Sequence, residues 1–339
     1  VLGKFEQEPE LDLSHYQHNQ TVQNVLRNIL GNEAADLQLQ FQTDVQRTYH
    51  VFEFNHSQIE VCLDDGEIRT GKDQAKICEV EFELKQGSAQ DLIEFAQTWV
   101  DKYQLWLDVR SKAERGNLLA MEKKSSPATK AKSLKLDPNL SAEQALKLVI
   151  ENSLNHILPN AAAIAGGVAE ADHIHQARVG LRRLRSALKH FSNWSEHINP
   201  AWESELADIF RALGQSRDHD AIQDSVIPLI KEVCDFDFAL SSSSDPEIAT
   251  RLSNTQTTQL FLSLLSFIHS ENEAKAKLSR QVSKSLTRLY HKILKDAAQF
   301  PELSVEQQHR TRKRVKQLRY CIDFTAGLYP EKQVQQFLD

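Results

Sequence analysis

Long apolar runs are missing from this chain. No stretch approaches the roughly 20 residues that a membrane-crossing helix needs. Cysteine is sparse: Cys62, Cys78, Cys234 and Cys321 are scattered without a C-x-x-C pair. That argues against a thiolate zinc site and a disulfide framework, and predicts a reducing, cytoplasmic setting. The sequence opens without a signal-peptide pattern and without Met, so a missing natural N-terminus is expected. Glycine-rich phosphate loops, nucleophile elbows, Cys–His nucleophile signatures and metalloprotease motifs are absent too. Nor is there a surplus of positive charge: 40 Lys and Arg stand against 47 Asp and Glu, a net −7. Nonspecific nucleic-acid binding through bulk charge is therefore not expected.

What is present is local positive charge, placed twice. His175 is followed by Arg178, Arg182 and Arg185, and His309 by Arg312, Lys316 and Arg319, at the same three, seven and ten positions. At about 100° per residue these four positions share a helix stripe roughly 80° wide. Leu181, Leu184 and Leu188 lie opposite the first stripe, and Val315, Leu318 and Ile322 opposite the second. Each helix is expected to bury the apolar side and present the cations. One such row alone reads as a solvated face or as a partner for acidic neighbours. Two matched rows, with Arg183 beside the first, point to a channel for a linear polyanion, because Arg forks onto phosphate oxygens and Lys acts as a point charge. His175 and His309 either extend the rows or are structural. His173 and His175 do not share a helix face, which disfavours a metal there. Arg217 and Asp218 read as an internal ion pair.

The two halves of the chain differ in period. Thr48–Phe54, Gln58–Leu63 and Ile77–Leu84 alternate at period two and predict antiparallel strands, with Asp65-Gly66 as a hairpin turn. Residues 89–104 read as a helix with Leu92, Phe95, Ala96 and Trp99 on one side, and Val22–Ile29 as a short helix. Met121–Pro138 is rich in Lys, Ser and Pro and reads as a linker. The rest is helical in pattern, with a core helix at Leu260–Ile268 and a loop at Ser241–Pro246. The expected fold class is α+β: a partial antiparallel β tunnel over 1–120, a linker over 121–138, and an all-α bundle with an internal duplication over 139–339. On the strand Ile77–Lys85, Glu79, Glu81, Glu83 and Lys85 share a face. That face is either solvated or a set of oxygen ligands for Mg²⁺ or Mn²⁺.

Both halves resemble known families. His175–Arg185 and His309–Arg319, with Leu213-Gly214-Gln-Ser-Arg217-Asp218 and Leu318-Arg319-Tyr320, are similar to the signature helices of CHAD domains. That resemblance runs from about residue 138 to the end. It implies a duplicated helical domain that binds inorganic polyphosphate, through His175, Arg178, Arg182, Arg183, Arg185, His309, Arg312, Lys316 and Arg319. The second copy ends before any counterpart of Leu213–Asp218, so an incomplete C-terminus is expected.

Thr43-Asp44-Val-Gln-Arg47, Ile59 to Gly66 with Asp64, Glu79 to Lys85, and Ser111-Lys112-Ala-Glu-Arg115-Gly116 resemble, in order, the second half of CYTH domains. CYTH followed by CHAD is typical of bacterial inorganic triphosphatase-like proteins. This implies that Arg47, Lys112 and Arg115 grip tripolyphosphate while Glu79, Glu81, Glu83 and Asp64 hold Mg²⁺ or Mn²⁺. By its position, Arg115-Gly116 alternatively ends a strand. The family's first-strand Glu-x-Glu-x-Lys motif has no match before Phe41, so this chain is expected not to hydrolyse triphosphate. Triphosphatase activity in a longer parent is one alternative function. A nucleic-acid-binding helical module is another, disfavoured by the few aromatics among the basic residues.

Overall fold

Alternation extends further than the sequence motifs suggest. β1 (Gln42–Phe54), β2 (Ser57–Arg69) and β3 (Gln74–Gln86) form an antiparallel sheet in the order β1-β2-β3. The computed structural model describes residues 39–221, 245–271 and 276–338, with residues 20, 21, 24, 25 and 28. The helix expected at Val22–Ile29 falls largely outside these residues, as do Cys234 and the side chains of Arg217 and Asp218.

Asp65-Gly66 is not a turn. Gly66 lies inside β2, opposite Val45, where a Cβ would stand 2.1 Å from the Asp44 carbonyl oxygen. The glycine serves close strand approach, which a sequence reader easily mistakes for hairpin chemistry. The chain reverses instead at Asn55, whose φ is 50°, and at Thr70–Asp73, where the Thr70 hydroxyl accepts from the Asp73 N–H at 2.9 Å.

Cross-strand partners share a face, so the sheet sorts its residues cleanly. Phe52, Phe54, Ile59, Val61, Val80, Phe82 and Leu84 turn to α1 (Ala89–Tyr103), where they pack on Leu92, Phe95 and Trp99. The Phe95 ring lies 5.4 Å from that of Phe52 and 5.3 Å from that of Phe54. The opposite side of α1 carries Ile93 and Val100, which pack on Leu262 and Leu265 of the later helix α7 (Thr255–His269). α1 thus joins the sheet to the helical unit. α2 (Lys112–Ala120) follows, capped by Ser111.

α3 (Ala142–Ala165) is buried around most of its circumference, as a central helix should be. Against it pack α4 (Ala171–Phe191), α6 (Asp245–Ser253), α7 and α8 (Leu278–Ala298); α5 (Ala201–Ala221) lies on α4, α9 (Val305–Thr325) on α4 and α8, and α10 (Glu331–Leu338) follows α9. Asp245 and Pro246, expected in a loop, open α6; residues 241–244 lie outside the described residues.

The duplication is visible in the elements themselves. α4 runs straight into a 3₁₀ turn at Ser192–Trp194, and α9 into one at Ala326–Leu328; each lies 134 residues after its counterpart, 171 to 305 and 192 to 326. Ser141 and Lys277, the N-cap residues of α3 and α8, pair with each other in an isolated antiparallel bridge. Two corresponding helix starts that meet in an antiparallel bridge lie close to a local two-fold axis.

Residues 121–138, expected as a linker, carry no helix but are fastened to the bundle. The Thr129 N–H donates to Asn160 Oδ1 at 3.1 Å, and Asn160 Nδ2 donates to the Thr129 carbonyl at 2.9 Å and the His156 carbonyl at 2.7 Å. Asn152 Nδ2 donates to the Lys132 carbonyl at 3.1 Å, and Leu136 enters the main core. Asn160→Ala should cost about 1–2 kcal/mol, since it strands the half-buried amide and carbonyl of Thr129. Faster amide exchange at Thr129 is the expected readout; unchanged exchange would show that the strap is held elsewhere.

Candidate functional site

The two cation rows share one face because of how α4 meets α9. Arg183 of α4 lies on the Phe324 ring of α9, 4.5 Å from its centre, and His190 of α4 bonds Gln317 of α9 at 3.1 Å. Gln317 is the counterpart of Arg183, and Phe324 that of His190, each 134 residues on. The contact is therefore reciprocal, as two-fold symmetry requires. Moving from 183 to 190 along α4 moves the contact back from 324 to 317 along α9, so the helices run antiparallel. Antiparallel helices exchanged by a two-fold axis perpendicular to both carry equivalent stripes on the same face of the pair.

The rows differ in cover. His309, Arg312, Lys316 and Arg319 are exposed and enter no ion pair among the described residues. His175, Arg178, Arg182 and Arg185 are half-buried, and Arg178 and Arg185 lie against α5. The Arg178 guanidinium sits 4.6 Å over the Phe210 ring and that of Arg185 at 5.6 Å, while Arg185 also pairs with Glu203 at 2.8 Å. Stacking on an aromatic face fixes a guanidinium's orientation. Arg183 stands apart: it is 5 % exposed and paired with Asp323 between the helices.

The apolar sides follow expectation for Leu181, Leu184, Leu188 and Leu318, which are buried. Val315 does not, at 49 % exposure. α9 is rotated so that Thr311, Leu318, Cys321 and Thr325 face inward, which leaves Val315 at the margin.

A third row escaped the sequence reading. Arg280, Lys284, Arg288, Lys292 and Lys295 of α8 are all exposed and free of ion pairs among the described residues. Their spacing, i+4 as far as Lys292 and i+3 to Lys295, is a helical signal, but it has no leading His and no matched copy. Lys292 acts electrostatically on His190, which places this row's end by the α4–α9 crossing.

Two histidines hold helices together while neutral. His156 of α3 bonds Gln176 of α4 at 3.1 Å, as His190 bonds Gln317. Burial lowers the basicity of both rings, and nearby cations (Arg183 for His156, Lys189 and Lys292 for His190) lower it further against the glutamine bonds. Between these lowered values and the ordinary value near 6.5, the unfolded chain binds more protons than the folded one. Stability should therefore fall as pH drops below about 6.5. Thermal melts from pH 8 to 5.5 check this: Tm should decline, and His156→Gln with His190→Gln should flatten the decline.

His173 is structural. Its Nδ1 accepts from the Glu170 N–H at 3.0 Å, so Nε2 carries the proton toward the Ser126 carbonyl at 2.9 Å.

The charged face of the sheet gathers the second group of candidates. Asp64 on β2 stands opposite both Arg47 of β1 and Glu79 of β3, and Glu81 is one step along. α2 reaches this face because Gly116 lies against the Phe41 ring, where a Cβ would come within 2.3 Å. Arg115-Gly116 thus belongs to a helix, not to a strand end. Arg47 forks onto Asp64 at 2.6 and 2.5 Å and reaches Glu81 at 2.6 Å. Lys112 Nζ meets Asp64 at 2.7 Å and Glu81 at 2.6 Å and pairs with Glu79, which also takes Arg115. Hydrogen bonding from Arg47 holds the fully buried Asp64 carboxyl below the usual range. Burial opposes the charge on Lys112, but its three carboxylates outweigh that and raise its basicity.

Glu83 shares the face but stays outside this cluster, bonded to Lys85 at 3.1 Å; Lys85 also binds Glu60 at 2.9 Å. Oxygens of Asp64, Glu79 and Glu81 lie within 4.8 Å of one another. Three carboxylates at that spacing fit a hard divalent cation such as Mg²⁺ or Mn²⁺. Among the described residues, no helix is long and apolar enough to cross a membrane.

The family model described as "CHAD domain" matches residues 148–339, more than half of the chain. The crystal structure of the CHAD domain from the plant Ricinus communis is similar, with a TM-score of 0.54 and 26 % identity over 63 % of this chain and 75 % of that one. An inorganic triphosphatase of Haemophilus influenzae is 36 % identical over 122 residues. That match covers 35 % of this chain and 35 % of the relative, so the chain spans about a third of the relative's length. This relative indicates the CYTH-type part.

Proposed function

The chain belongs to the CHAD-domain family, and from that premise we propose that its helical unit binds inorganic polyphosphate along the paired rows of α4 and α9. The observation that carries this reading is the reciprocal, antiparallel crossing of α4 and α9. It brings together two tracks of cations, one exposed and without an ion pair among the described residues, the other with Arg178 and Arg185 stacked on Phe210. A linear polyanion laid across such a face meets guanidinium forks on both sides and the Lys316 ammonium on the α9 side. Arg183 is left out of the contact surface because Asp323 and Phe324 already occupy it.

For the sheet unit we propose metal-dependent binding of tripolyphosphate. Asp64, Glu79 and Glu81 would take Mg²⁺ or Mn²⁺, and Arg47, Lys112 and Arg115 the phosphate oxygens. A bound divalent ion supplies neutralisation of phosphate charge. Hydrolysis of triphosphate is proposed only for a longer protein that contains this unit, by similarity to the triphosphatase relative.

A competition titration tests the principal reading. Labelled long-chain polyphosphate should bind at moderate salt and resist displacement by double-stranded DNA of equal charge. Displacement by DNA at parity would favour a general polyanion or nucleic-acid surface and overturn the assignment.

A further inference from the structure

A lysine stands at the centre of the acidic cluster, where a divalent ion would have to sit. Lys112 Nζ contacts all three carboxylates whose oxygens converge: Asp64 at 2.7 Å, Glu81 at 2.6 Å, and Glu79. An ammonium has three hydrogens to donate, so this environment saturates it. Arg47 and Arg115 hold the carboxylates from the sides, Arg47 sharing Asp64 Oδ2 with Lys112, so three positive and three negative side chains make up the group.

We infer that Lys112 is the resident cation of this cluster, and that a divalent ion binds there only by displacing it. The inference rests on the reading that Asp64, Glu79 and Glu81 take such an ion. Two positive centres cannot share the space, since like charges a few ångströms apart repel strongly in a partly buried site. Release needs no movement of the fold. Lys112 is the first residue of α2, the cap of that helix is made by Ser111 to the Glu114 N–H at 3.0 Å, and a lysine has four rotatable carbons between backbone and charge. Arg47, forked onto Asp64, and Arg115, on a single carboxylate, do not occupy the shared centre.

The exchange has a consequence for ligands. A lysine displaced by the ion is free to meet an anion bound next to it. Metal and phosphate binding are then coupled, each strengthening the other by the same factor. Without metal, Lys112 is occupied and the site offers an incoming phosphate one cation fewer.

Mn²⁺ titration of the full chain by calorimetry tests this with two variants. Lys112→Met keeps the stem and removes the charge; it should tighten Mn²⁺ binding by about 10-fold or more. Asp64→Asn should weaken the same binding, which locates it in the cluster. If Asp64→Asn weakens binding but Lys112→Met leaves it unchanged or weaker, Lys112 is no competitor and the inference fails while the metal reading stands. If Mn²⁺ binding is absent, or indifferent to Asp64→Asn, the metal reading fails and the inference with it. A measurement on the unaltered protein guards against misfolded variants. Acylation of Lys112, followed by peptide mass spectrometry, should rise several-fold when Mn²⁺ is added; unchanged labelling overturns the inference.

Discussion

Arg312→Glu, Lys316→Glu and Arg319→Glu together should weaken polyphosphate binding by at least about 100-fold, with the fold intact. Each residue is exposed and enters no ion pair among the described residues, so none holds a partner that its loss would strand. A charge-assisted hydrogen bond contributes about 1.5–3 kcal/mol, and three losses with added repulsion readily exceed two powers of ten. The cost to folding is small by comparison. Exposed substitutions usually stay within about 0.5 kcal/mol, and the new like-charge neighbours on one helix face add a few tenths each. Binding by fluorescence anisotropy beside a thermal melt separates the two quantities. Retained affinity with an unchanged melt would remove α9 from the binding face.

Arg183→Met should do the reverse: destabilise the bundle by about 2–3 kcal/mol and leave polyphosphate affinity nearly unchanged. Arg183 is buried, paired with Asp323, and lies on the Phe324 ring and within 5.9 Å of that of Tyr320. Removing one member of a buried pair costs most when its partner is also sealed from water. Asp323 keeps access to solvent on one side, so the loss is moderate. A drop of several degrees in Tm is expected from such a change. A tenfold loss of affinity at unchanged Tm would instead make Arg183 a ligand.

That pair of outcomes marks where the sequence was informative and where it stopped. The stripe His309–Arg312–Lys316–Arg319 was legible because helical period and charge coincide, and the structure leaves all four exposed. Arg183, one position off its stripe, is buried because the two-fold crossing puts it against Phe324. Its helical phase already separates it from Arg182 beside it, but only the tertiary contact shows that it is buried. The same crossing brings Gln317 to His190, a pairing with no local signal.

In the sheet, alternation revealed the Glu79–Glu81 face, but two features hid the rest. Gly66 carries the turn chemistry of a hairpin and serves instead as a contact point between strands. Lys112 meets all three carboxylates only through the β2–β3 register and the seating of α2 on Phe41, neither of which is written locally. Glu83 could not be told from Glu79 and Glu81 by spacing; Lys85, two residues on, separates it.

Polyphosphate lying on the face shared by α4 and α9 would shield that face from reagents. Residue-level footprinting with and without long-chain polyphosphate tests it most directly, using an arginine-directed dicarbonyl and an amine-acylating reagent. Strong protection of Arg312, Lys316 and Arg319 is expected, and none of the exposed Arg69 and Lys76 on the sheet. Protection concentrated on the sheet, with α9 labelled as freely as in the unliganded protein, would contradict it.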